Sequence, residues 1–504
     1  MISFYIITII SKRIEVFNLS LSIFLEHLKT FLDVLLYINI PLAMILIFLE
    51  RRKISETLAW LTILLFLPGI GFILYITFGQ NLSREKIFTL KKDEDSRFKD
   101  YYKKNKYVLD NNITFSDESL KSYKNLMYLH YNHSHAPFSE NNDVTIYADG
   151  AEKFDALLRE IKKANSSIHI AYYIMRKDEL GTKLRDALVE KAKEGVEVKV
   201  LYDQLGSKSL PKKFWDPLIE AGGKYSIFFP SVLKFINFRI NYRNHRKIVV
   251  IDNSVAFVGG FNVGDEYLGK NKKFGYWRDT HLKIRGESVY ALQLRFLLDW
   301  RHASKEDFPI DTKYIKPLEK IGTVGMQIVS SGPDSEWEEI KYGYIKMIQD
   351  AKKSILIQTP YLVLDQSISE AIKIASLSGI DVKIMIPNKP DHPFIYWASY
   401  SNAGDLVKTG VKIYTYEAGF LHAKTMVVDE SISSVGTANM DVRSFKLNFE
   451  VNAFIYDIKI SKTLSNLFHE DMKKCKEITA EKYASRSIII KIKESISRLL
   501  SPIL

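Results

Sequence analysis

Largely apolar runs and amphipathic stretches alternate along the chain from about residue 145 onward. The run at 168–173 predicts a buried strand, and the apolar spacing at 180–194 predicts a helix. Gly195 ends that helix, and a second apolar run at 196–201 predicts another strand. Strand, helix and strand in this order are typical of a βαβ unit.

The same order of elements returns later in the chain. Apolar runs at 355–361 and 380–386 predict two more strands. The spacing at 367–378 predicts the helix between them, and Gly379 stops it. The repeat indicates that one kind of module was duplicated.

We therefore predict an α/β fold with two pseudosymmetric modules that share one cleft. The modules are expected at about 145–305 and 322–480, with a Lys- and Pro-containing linker around 303–321. In each module a third apolar strand carries a polar motif at its start. Because side chains alternate along a strand, every second motif residue lies on the same face.

The motif is His-x-Lys-x4-Asp, and it occurs once in each module. Its residues are His245, Lys247 and Asp252 in the first module and His422, Lys424 and Asp429 in the second. An asparagine follows each aspartate ten positions later, at Asn262 and Asn439. The chain has 11 histidines in 504 residues. With so few, chance gives fewer than about 0.2 matches per chain, so the pair indicates a shared role.

These residue types suit displacement at phosphorus. The two lysines, with Asn262 and Asn439, supply donors for phosphate oxygens on which negative charge develops. One neutral imidazole can attack phosphorus, while the other, protonated, gives a proton to the departing alkoxide and then serves as base. The expected outcome is exchange or hydrolysis of a phosphodiester, with no metal and no cofactor.

A histidine in this role needs a carboxylate that fixes its tautomer and orientation. The motif aspartates are counted in the catalytic set, but they lie at the far end of the motif strand. Aligning 277–279 with 448–450 puts two later carboxylates at equivalent points of a following strand. We therefore predict that Asp279 and Glu450 orient the histidines.

The N-terminal 1–80 segment is expected to hold a transmembrane helical hairpin. The uncharged apolar run at 58–78 is long enough to cross a bilayer core, and 31–49 is a weaker second candidate. Basic residues outside the two runs outnumber those in the loop between them, which favours cytoplasmic catalytic modules. A basic connector is expected at 81–144.

The formal net charge of +12 favours an anionic partner, but it does not separate lipid from nucleic acid. Aromatic and basic residues interleave before His245, as suits an interfacial rim beside a lipid-accepting cleft. These residues are Lys234, Phe235, Phe238, Arg239, Tyr242, Arg243 and Arg246. We therefore expect anionic membrane lipids, not nucleic acid. The single Cys475 excludes an intrachain disulfide.

An amphipathic helix is predicted at the C-terminus, over 487–504. Its apolar residues recur at spacings of three and four, with basic residues among them, and Pro502 ends it. The apolar stripe could pack against the modules or contact an anionic bilayer. We favour the bilayer because of the cationic flanks.

Beyond the paired motifs, several segments resemble bacterial cardiolipin synthases of the phospholipase D superfamily. They lie at 56–60, 260–267, 277–281, 299–300, 359–361, 419–424, 441–445 and 498–502. The resemblance extends from about residue 40 to the end of the chain. One departure from the broader superfamily, which often has Ser there, is the pair of equivalent positions Gly260 and Thr437.

The resemblance implies a multi-pass enzyme of the bacterial cytoplasmic membrane that acts on phosphatidylglycerol. It would transfer a phosphatidyl group from one phosphatidylglycerol to another, releasing glycerol, through a phosphohistidine and without a metal. It also implies that His245 is the nucleophile and His422 the general acid. A hydrolytic phospholipase D or membrane-bound nuclease is the alternative, since hydrolysis results wherever water outcompetes the alcohol. A lipid-binding scaffold is disfavoured because both motifs are intact.

Overall fold

The computed structural model describes most of the chain. The described residues are 18–31, 54–67, 117–229, 242–306, 321–389 and 391–500, with isolated positions at 33–44 and 71–75. They fall into two compact units, one within Met1–Glu85 and the other within Lys86–Ser231 and Asn241–Leu504.

The smaller unit is helical where it is described, at 18–31 and Ile54–Phe66. Trp60 and Tyr75 meet edge to face, with ring centroids 5.4 Å apart. Among the described residues, no helix combines the length and the apolar character needed to cross a bilayer. Large parts of the predicted spans at 31–49 and 58–78 lie outside those residues. The hairpin therefore stays a prediction.

A seven-stranded sheet forms the first module, in the order β1-β9-β7-β6-β2-β3-β4. The strands up to residue 286 are β1 (Asn142–Tyr147), β2 (Ser167–Tyr172), β3 (Glu197–Asp203), β4 (Lys224–Phe228), β5 (Arg243–Asn244), β6 (Ile248–Ile251), β7 (Val255–Gly259), β8 (Tyr276–Arg278) and β9 (His281–Gly286). Strands β2, β3 and β4 run parallel, whereas β6 is antiparallel to β2. The motif strand is therefore central in the sheet.

The second module repeats this order as β10-β19-β17-β16-β11-β13-β14, with β20 added at the edge. Its strands are β10 (Gly325–Ser331), β11 (Ser354–Gln358), β12 (Leu362–Val363), β13 (Asp381–Pro387), β14 (Lys412–Tyr416), β15 (Gly419–Leu421), β16 (Thr425–Val428), β17 (Ile432–Gly436), β18 (Met440–Asp441), β19 (Asn448–Tyr456) and β20 (Cys475–Ile478). Seven strands correspond one to one, so the predicted α/β fold with two pseudosymmetric modules is confirmed.

Helices flank both sheets. They are α1 (Lys124–Ser134), α2 (Gly150–Lys163), α3 (Glu179–Lys193), α4 (Asp216–Glu220), α5 (Ser288–Ser304), α6 (Glu339–Asp350), α7 (Gln366–Leu377), α8 (Pro393–Val407), α9 (Val442–Lys446), α10 (Ile458–Met472), α11 (Ala480–Ala484) and α12 (Ile488–Leu500). An aspartate accepts backbone N–H groups at the start of several of them, for example Asp149 before α2 and Asp365 before α7. Helix α12 falls within the predicted 487–504.

The motif strands are buried on both faces. In β6, Val249 and Ile251 pack into the core of the first module, whereas Ile248 and Val250 belong to a cluster that also contains Val427 of the second module. Side chains on opposite faces of this one strand thus pack into two different apolar cores. This shared apolar layer joins the modules and keeps their motifs near each other.

Part of the expected connector also belongs to the core. A 3₁₀ turn at Glu118–Tyr123 and helix α1 bury Leu120 and Leu126 in the apolar cluster of the second module. Residues 81–116 and the middle of the linker, 307–320, lie outside the described residues.

Candidate active site

The backbone just before each motif histidine pairs with a strand of the other module. Strand β5, just before His245, pairs in parallel with β19, and the His245 N–H donates to the Phe449 carbonyl at 3.0 Å. Strand β15, just before His422, pairs in parallel with β8, and the His422 N–H donates to the Arg278 carbonyl at 2.7 Å. The modules therefore exchange strands at the site.

This exchange brings each histidine to the carboxylate of the other module. His245 Nδ1 lies 3.0 Å from both carboxylate oxygens of Glu450. His422 Nδ1 lies 2.7 Å from Asp279 Oδ2. An ionised carboxylate only accepts hydrogen bonds, so Nδ1 carries the proton in each neutral ring. The lone pair is left on Nε2, which is the atom available for chemistry.

The two lysines are buried beside their histidines. Lys247 Nζ donates to the His245 carbonyl at 2.6 Å. Lys424 Nζ donates to the His422 carbonyl and lies 2.7 Å from His422 Nδ1 and 3.9 Å from Asp279 Oδ2. Burial lowers the pKa of Lys247 to about 7 and that of Lys424 to about 8. Without an anion in the site, both ammonium groups are easily deprotonated.

The histidines have low basicity for the same reason. Burial lowers the pKa of His245, and burial with the nearby Lys424 cation lowers the pKa of His422 to about 4. Lys424 also lowers the pKa of His245, and Lys247 that of His422. The two motifs are thus within electrostatic reach of each other and form one site.

A bound phosphodiester would change these charges. Its negative charge would stabilise the two ammonium groups and oppose their effect on the imidazoles. His422 could then take up the proton that a general acid needs. Binding of a phosphodiester would therefore favour the charge states that general acid catalysis requires at this site.

The two asparagines that follow the motifs are buried, and their side chains hydrogen bond with other protein groups. Asn262 Oδ1 accepts the Ile174 N–H at 3.1 Å, and its Nδ2 donates to the Tyr267 hydroxyl at 3.3 Å. Asn439 Oδ1 has no hydrogen-bond partner among the described residues, and its side chain hydrogen bonds with Asp441. Both lie at the ends of the motif hairpins, so phosphate contact by their amides stays a proposal.

The motif aspartates are not brought into this cluster. Asp252 accepts the backbone N–H groups of residues 165–167 at 2.7–2.9 Å, and Asp429 accepts those of 352–354 at 2.7–2.9 Å. Both follow their strands at φ of 52° and 53°. Seven residues of extended chain separate aspartate and histidine by roughly 20 Å. Their expected place in the catalytic set is therefore corrected, because they anchor the loops before β2 and β11.

Two buried arginines hold the backbone of the orienting carboxylates. Arg246 Nε donates to the Glu450 carbonyl at 3.1 Å, while its Nη1 contacts Asp299 at 2.6 Å. On the other side Arg278 donates to the Asp279 carbonyl and contacts Asp471 through Nε at 2.7 Å. Asp279 and Glu450 are thus each fixed through the main chain as well as through the side chain.

These buried pairs correct the interfacial rim expected before His245. Arg243 and Arg246 are both buried, and burial lowers the pKa of each guanidinium despite the nearby Asp203 and Asp299. Tyr242 is buried as well, and the remaining members lie within 230–241, outside the described residues. A signal for the acidic partners was present in the sequence, since Phe-x-x-Asp occurs within both α5 and α10.

The departure at Gly260 and Thr437 has a structural cause. A Cβ at Gly260 would lie 1.9 Å from Asp279 Oδ1, so only glycine leaves room for that carboxylate. At the equivalent point the Thr437 hydroxyl accepts the Val451 N–H at 2.9 Å and hydrogen bonds with Glu450. The two modules therefore hold their carboxylates by different local means.

Two aromatic side chains complete the site. The Tyr173 ring meets the His245 ring edge to face at 4.9 Å between centroids, and Trp277 lies 5.2 Å from His422 in the same measure. Local pattern predicts only a strand residue at Tyr173, and it does not predict the half-buried position of this ring beside His245. In the part of the chain that the structure describes, no group of three or more His, Cys, Asp or Glu could hold a metal ion.

Comparisons with known proteins agree with this geometry. A family profile described as "Cardiolipin synthase, PLD-like domain" matches residues 157–280 and 344–472. A second profile, "Phospholipase_D-nuclease N-terminal", matches residues 38–80. The matched ranges cover both motifs and part of the predicted membrane segment.

Curated relatives match over almost the whole chain. The major cardiolipin synthase of Bacillus subtilis (strain 168) is 55% identical over 478 residues, which cover 94% of this chain and 98% of the relative. A cardiolipin synthase of Staphylococcus aureus (strain Mu50) is 51% identical, and the match covers 96% of this chain and 99% of the relative.

The crystal structure of phosphatidylserine synthase from Haemophilus influenzae Rd KW20 has a TM-score of 0.57 at 16% identity. The match covers 75% of this chain and 97% of the synthase chain, and it supports the fold alone. On the profile and the curated relatives, this chain belongs to the bacterial cardiolipin synthases of the phospholipase D superfamily.

Proposed function

We propose that this cardiolipin synthase uses phosphatidylglycerol as both donor and acceptor, and that the reaction passes through a phosphatidyl-histidine. The observation that carries the proposal is the crossed pairing of His245 with Glu450 and His422 with Asp279. Two oriented imidazoles beside two buried lysines supply a nucleophile, an acid and charge stabilisation within one site.

In the first step, Nε2 of His245 attacks phosphorus and forms a P–N bond. The bond from phosphorus to the head-group glycerol oxygen breaks, and the imidazolium of His422 gives its proton to that oxygen. Glycerol leaves with the proton, and the phosphatidyl group stays on His245. Lys247 and Lys424 offset the negative charge on the phosphoryl oxygens as the bonds exchange.

In the second step, neutral His422 takes the proton of a glycerol hydroxyl on a second phosphatidylglycerol. The oxygen attacks phosphorus, the P–N bond breaks, and cardiolipin forms while His245 regains its lone pair. The charges of the site are then as they were at the start. Entry of water in place of the second lipid would give phosphatidic acid, so exclusion of water decides between transfer and hydrolysis.

Products measured together would test the substrate assignment. The protein reconstituted in phosphatidylglycerol vesicles should release glycerol and form cardiolipin in equal amounts, with little phosphatidic acid. Phosphatidic acid without cardiolipin would refute transfer. His245→Ala and His422→Ala should both abolish turnover, with Lys383→Ala, which lies outside the site, as the active control.

The order of the two histidines needs its own test, because their surroundings are nearly symmetric. We assign His245 as the nucleophile from the family resemblance. Burial and the Lys424 cation lower the pKa of His422 to about 4, which is consistent with a group that gains its proton only when the anionic substrate binds. Acid-quenched protein should carry the phosphatidyl adduct on His245. An adduct found only on His422 would reverse the assignment.

We also propose that spans at about 31–49 and 58–78 hold the enzyme in the bacterial cytoplasmic membrane, with the modules in the cytoplasm. Support comes from the apolar runs, the flanking basic residues and the profile match at 38–80. Cysteines placed at Lys53 and at Lys193 would react from opposite sides of sealed vesicles if this topology holds. Labelling of both from the same side would exclude it.

A further inference from the structure

The C-terminal helix α12 turns its polar side towards the protein and its apolar side outwards. Glu494 and Ser497 are 3% and 1% exposed. Four isoleucines of the same helix stay in contact with solvent, with Ile488 68%, Ile489 62%, Ile492 53% and Ile496 49% exposed. An ordinary surface helix has the reverse arrangement, because burying the apolar stripe is what holds it in place.

Polar contacts fix this orientation. Glu494 accepts hydrogen bonds from Arg486 Nε at 2.8 Å and from the Tyr483 hydroxyl at 3.1 Å. The Arg486 guanidinium lies 3.5 Å above the Tyr483 ring, and that ring packs so closely on Gly404 of α8 that a Cβ there would lie 1.8 Å from it. Rotating the helix to bury its isoleucines would break the partly buried Arg486–Glu494 pair and leave the buried Glu494 carboxylate without these partners, which is costly.

Cations border the exposed stripe on both sides. At roughly 100° per residue, the four isoleucines span about 100° of the helix circumference. Lys493 follows on one side, with Nζ 5.2 Å above the Trp397 ring, and Lys491 and Arg498 follow on the other. Arg498 is 3.9 Å from Asp405, and its side chain is 70% exposed. An apolar stripe between cationic edges suits a helix that lies in the interface of an anionic bilayer.

We propose that the outward face of α12, made of Ile488, Ile489, Ile492 and Ile496, docks on an anionic lipid bilayer. The bilayer is chosen over a second protein surface because the charges on both edges are cationic, and the polar inner side already anchors the helix to Tyr483 and Arg486. The choice of lipid rests on the proposed function, in which the site takes both substrates from a membrane. Docking would hold the larger unit against that membrane through a contact separate from the N-terminal segment.

A fluorescence experiment tests the contact without relying on turnover. In the full chain with Cys475→Ser, an environment-sensitive dye is placed at Ile492→Cys and, as control, at the exposed Glu190→Cys. The protein is reconstituted in phosphatidylcholine vesicles with or without phosphatidylglycerol, and quenching by chain-brominated lipid is measured. We expect quenching at position 492 that increases with phosphatidylglycerol and none at position 190. Blue-shifted emission at 492 without lipid quenching would mean that protein covers the face, and would overturn the proposal.

A second experiment connects docking with catalysis. Ile489→Ser with Ile492→Ser should slow turnover of bilayer phosphatidylglycerol by at least about tenfold, since burial of each isoleucine contributes more than that factor. Turnover of short-chain, soluble phosphatidylglycerol and the melting temperature should stay unchanged. Ile219→Ser, at a half-exposed isoleucine of the first module, is the matched control and should change neither rate. Equal loss on both lipids with a lower melting temperature would show a packing role and refute docking. If unmodified protein turned over neither lipid while the dye was quenched, the proposed function would fail and docking would stand.

Discussion

A substitution at a motif aspartate can test whether that residue stabilises the fold or takes part in the reaction. Asp429 Oδ2 accepts the Lys352 N–H at 2.8 Å, and its Oδ1 accepts the N–H groups of Lys353 and Ser354 at 2.7 and 2.9 Å. These contacts tie the loop before β11 to the turn after β16, far from His422. We predict that Asp429→Asn lowers stability and leaves the chemical step intact.

The magnitude follows from the contacts. Asparagine tolerates the left-handed φ of 53°, so the turn itself is preserved. The amide oxygen can still accept two N–H groups, but the amide nitrogen faces the third as donor against donor. A hydrogen bond to a charged group contributes about 1.5–3 kcal/mol, and partial exposure reduces the loss here to about 1–2 kcal/mol. Since a loss of about 1 kcal/mol lowers the melting temperature of a large domain by about 2–4 °C, we expect a fall of about 2–8 °C.

Thermal melts and turnover of short-chain phosphatidylglycerol, well below the melting temperature, would check this. Asp279→Asn is the matched control, because the same substitution there removes the carboxylate that contacts His422. It should lower kcat by about 10²–10⁴-fold, because His422 is no longer held in the required tautomer. The reasoning is refuted if Asp429→Asn lowers kcat by more than about a hundredfold while the protein melts as before.

Three further predictions concern the site. The kcat/KM for soluble phosphatidylglycerol should fall as pH rises through about 7 to 8, because the Lys247 and Lys424 ammonium groups that attract the phosphodiester lose their protons there. Asp471→Asn should destabilise the protein by about 3–5 kcal/mol and lower kcat, because Arg278, which holds the Asp279 carbonyl, loses its buried partner. Removal of divalent cations with EDTA should leave turnover of the soluble lipid unchanged, since His, Lys and carboxylate groups supply the acid, base and charge stabilisation.

Each of these has a clear contrary outcome. A kcat/KM that stays constant up to pH 10 would show that the lysines keep their protons in the free enzyme. The control for Asp471→Asn is Asp381→Asn, which removes an acidic partner of Lys383 and Lys412 near the starts of β13 and β14 and should change kcat little. Equal kcat in both variants would show that the Arg278 pair has no positioning role. Complete loss of activity in EDTA, restored by one divalent ion, would disprove the metal-free scheme.

Much of the architecture could be predicted from local pattern. The run at 168–173 predicts the strand observed at Ser167–Tyr172, and the spacing at 180–194 predicts the helix observed at Glu179–Lys193. Apolar periodicity reports which residues face a core, and it does so within a few neighbouring residues. Repetition of that pattern was enough to predict two modules of the same fold.

Local pattern could not predict which carboxylate serves which histidine. Alignment of the repeats gave Asp279 and Glu450 as equivalent positions, which is compatible with pairing within a module or across modules. The structure pairs His245 with Glu450, 205 residues away, because β5 and β15 leave their own sheets and add to strands of the other module. Such strand pairing between distant segments depends on backbone edges that leave no sequence signal.

The sequence by itself determined the two α/β modules, the duplicated His–Lys motifs and the amphipathic character of the C-terminal helix. Only the tertiary structure decided the crossed histidine pairs, the loop-anchoring role of Asp252 and Asp429, and the outward face of α12. The physical reason is the same in each case. Side-chain type and spacing fix what a residue can do, whereas its partner is set by chain segments that meet only when the whole fold has packed.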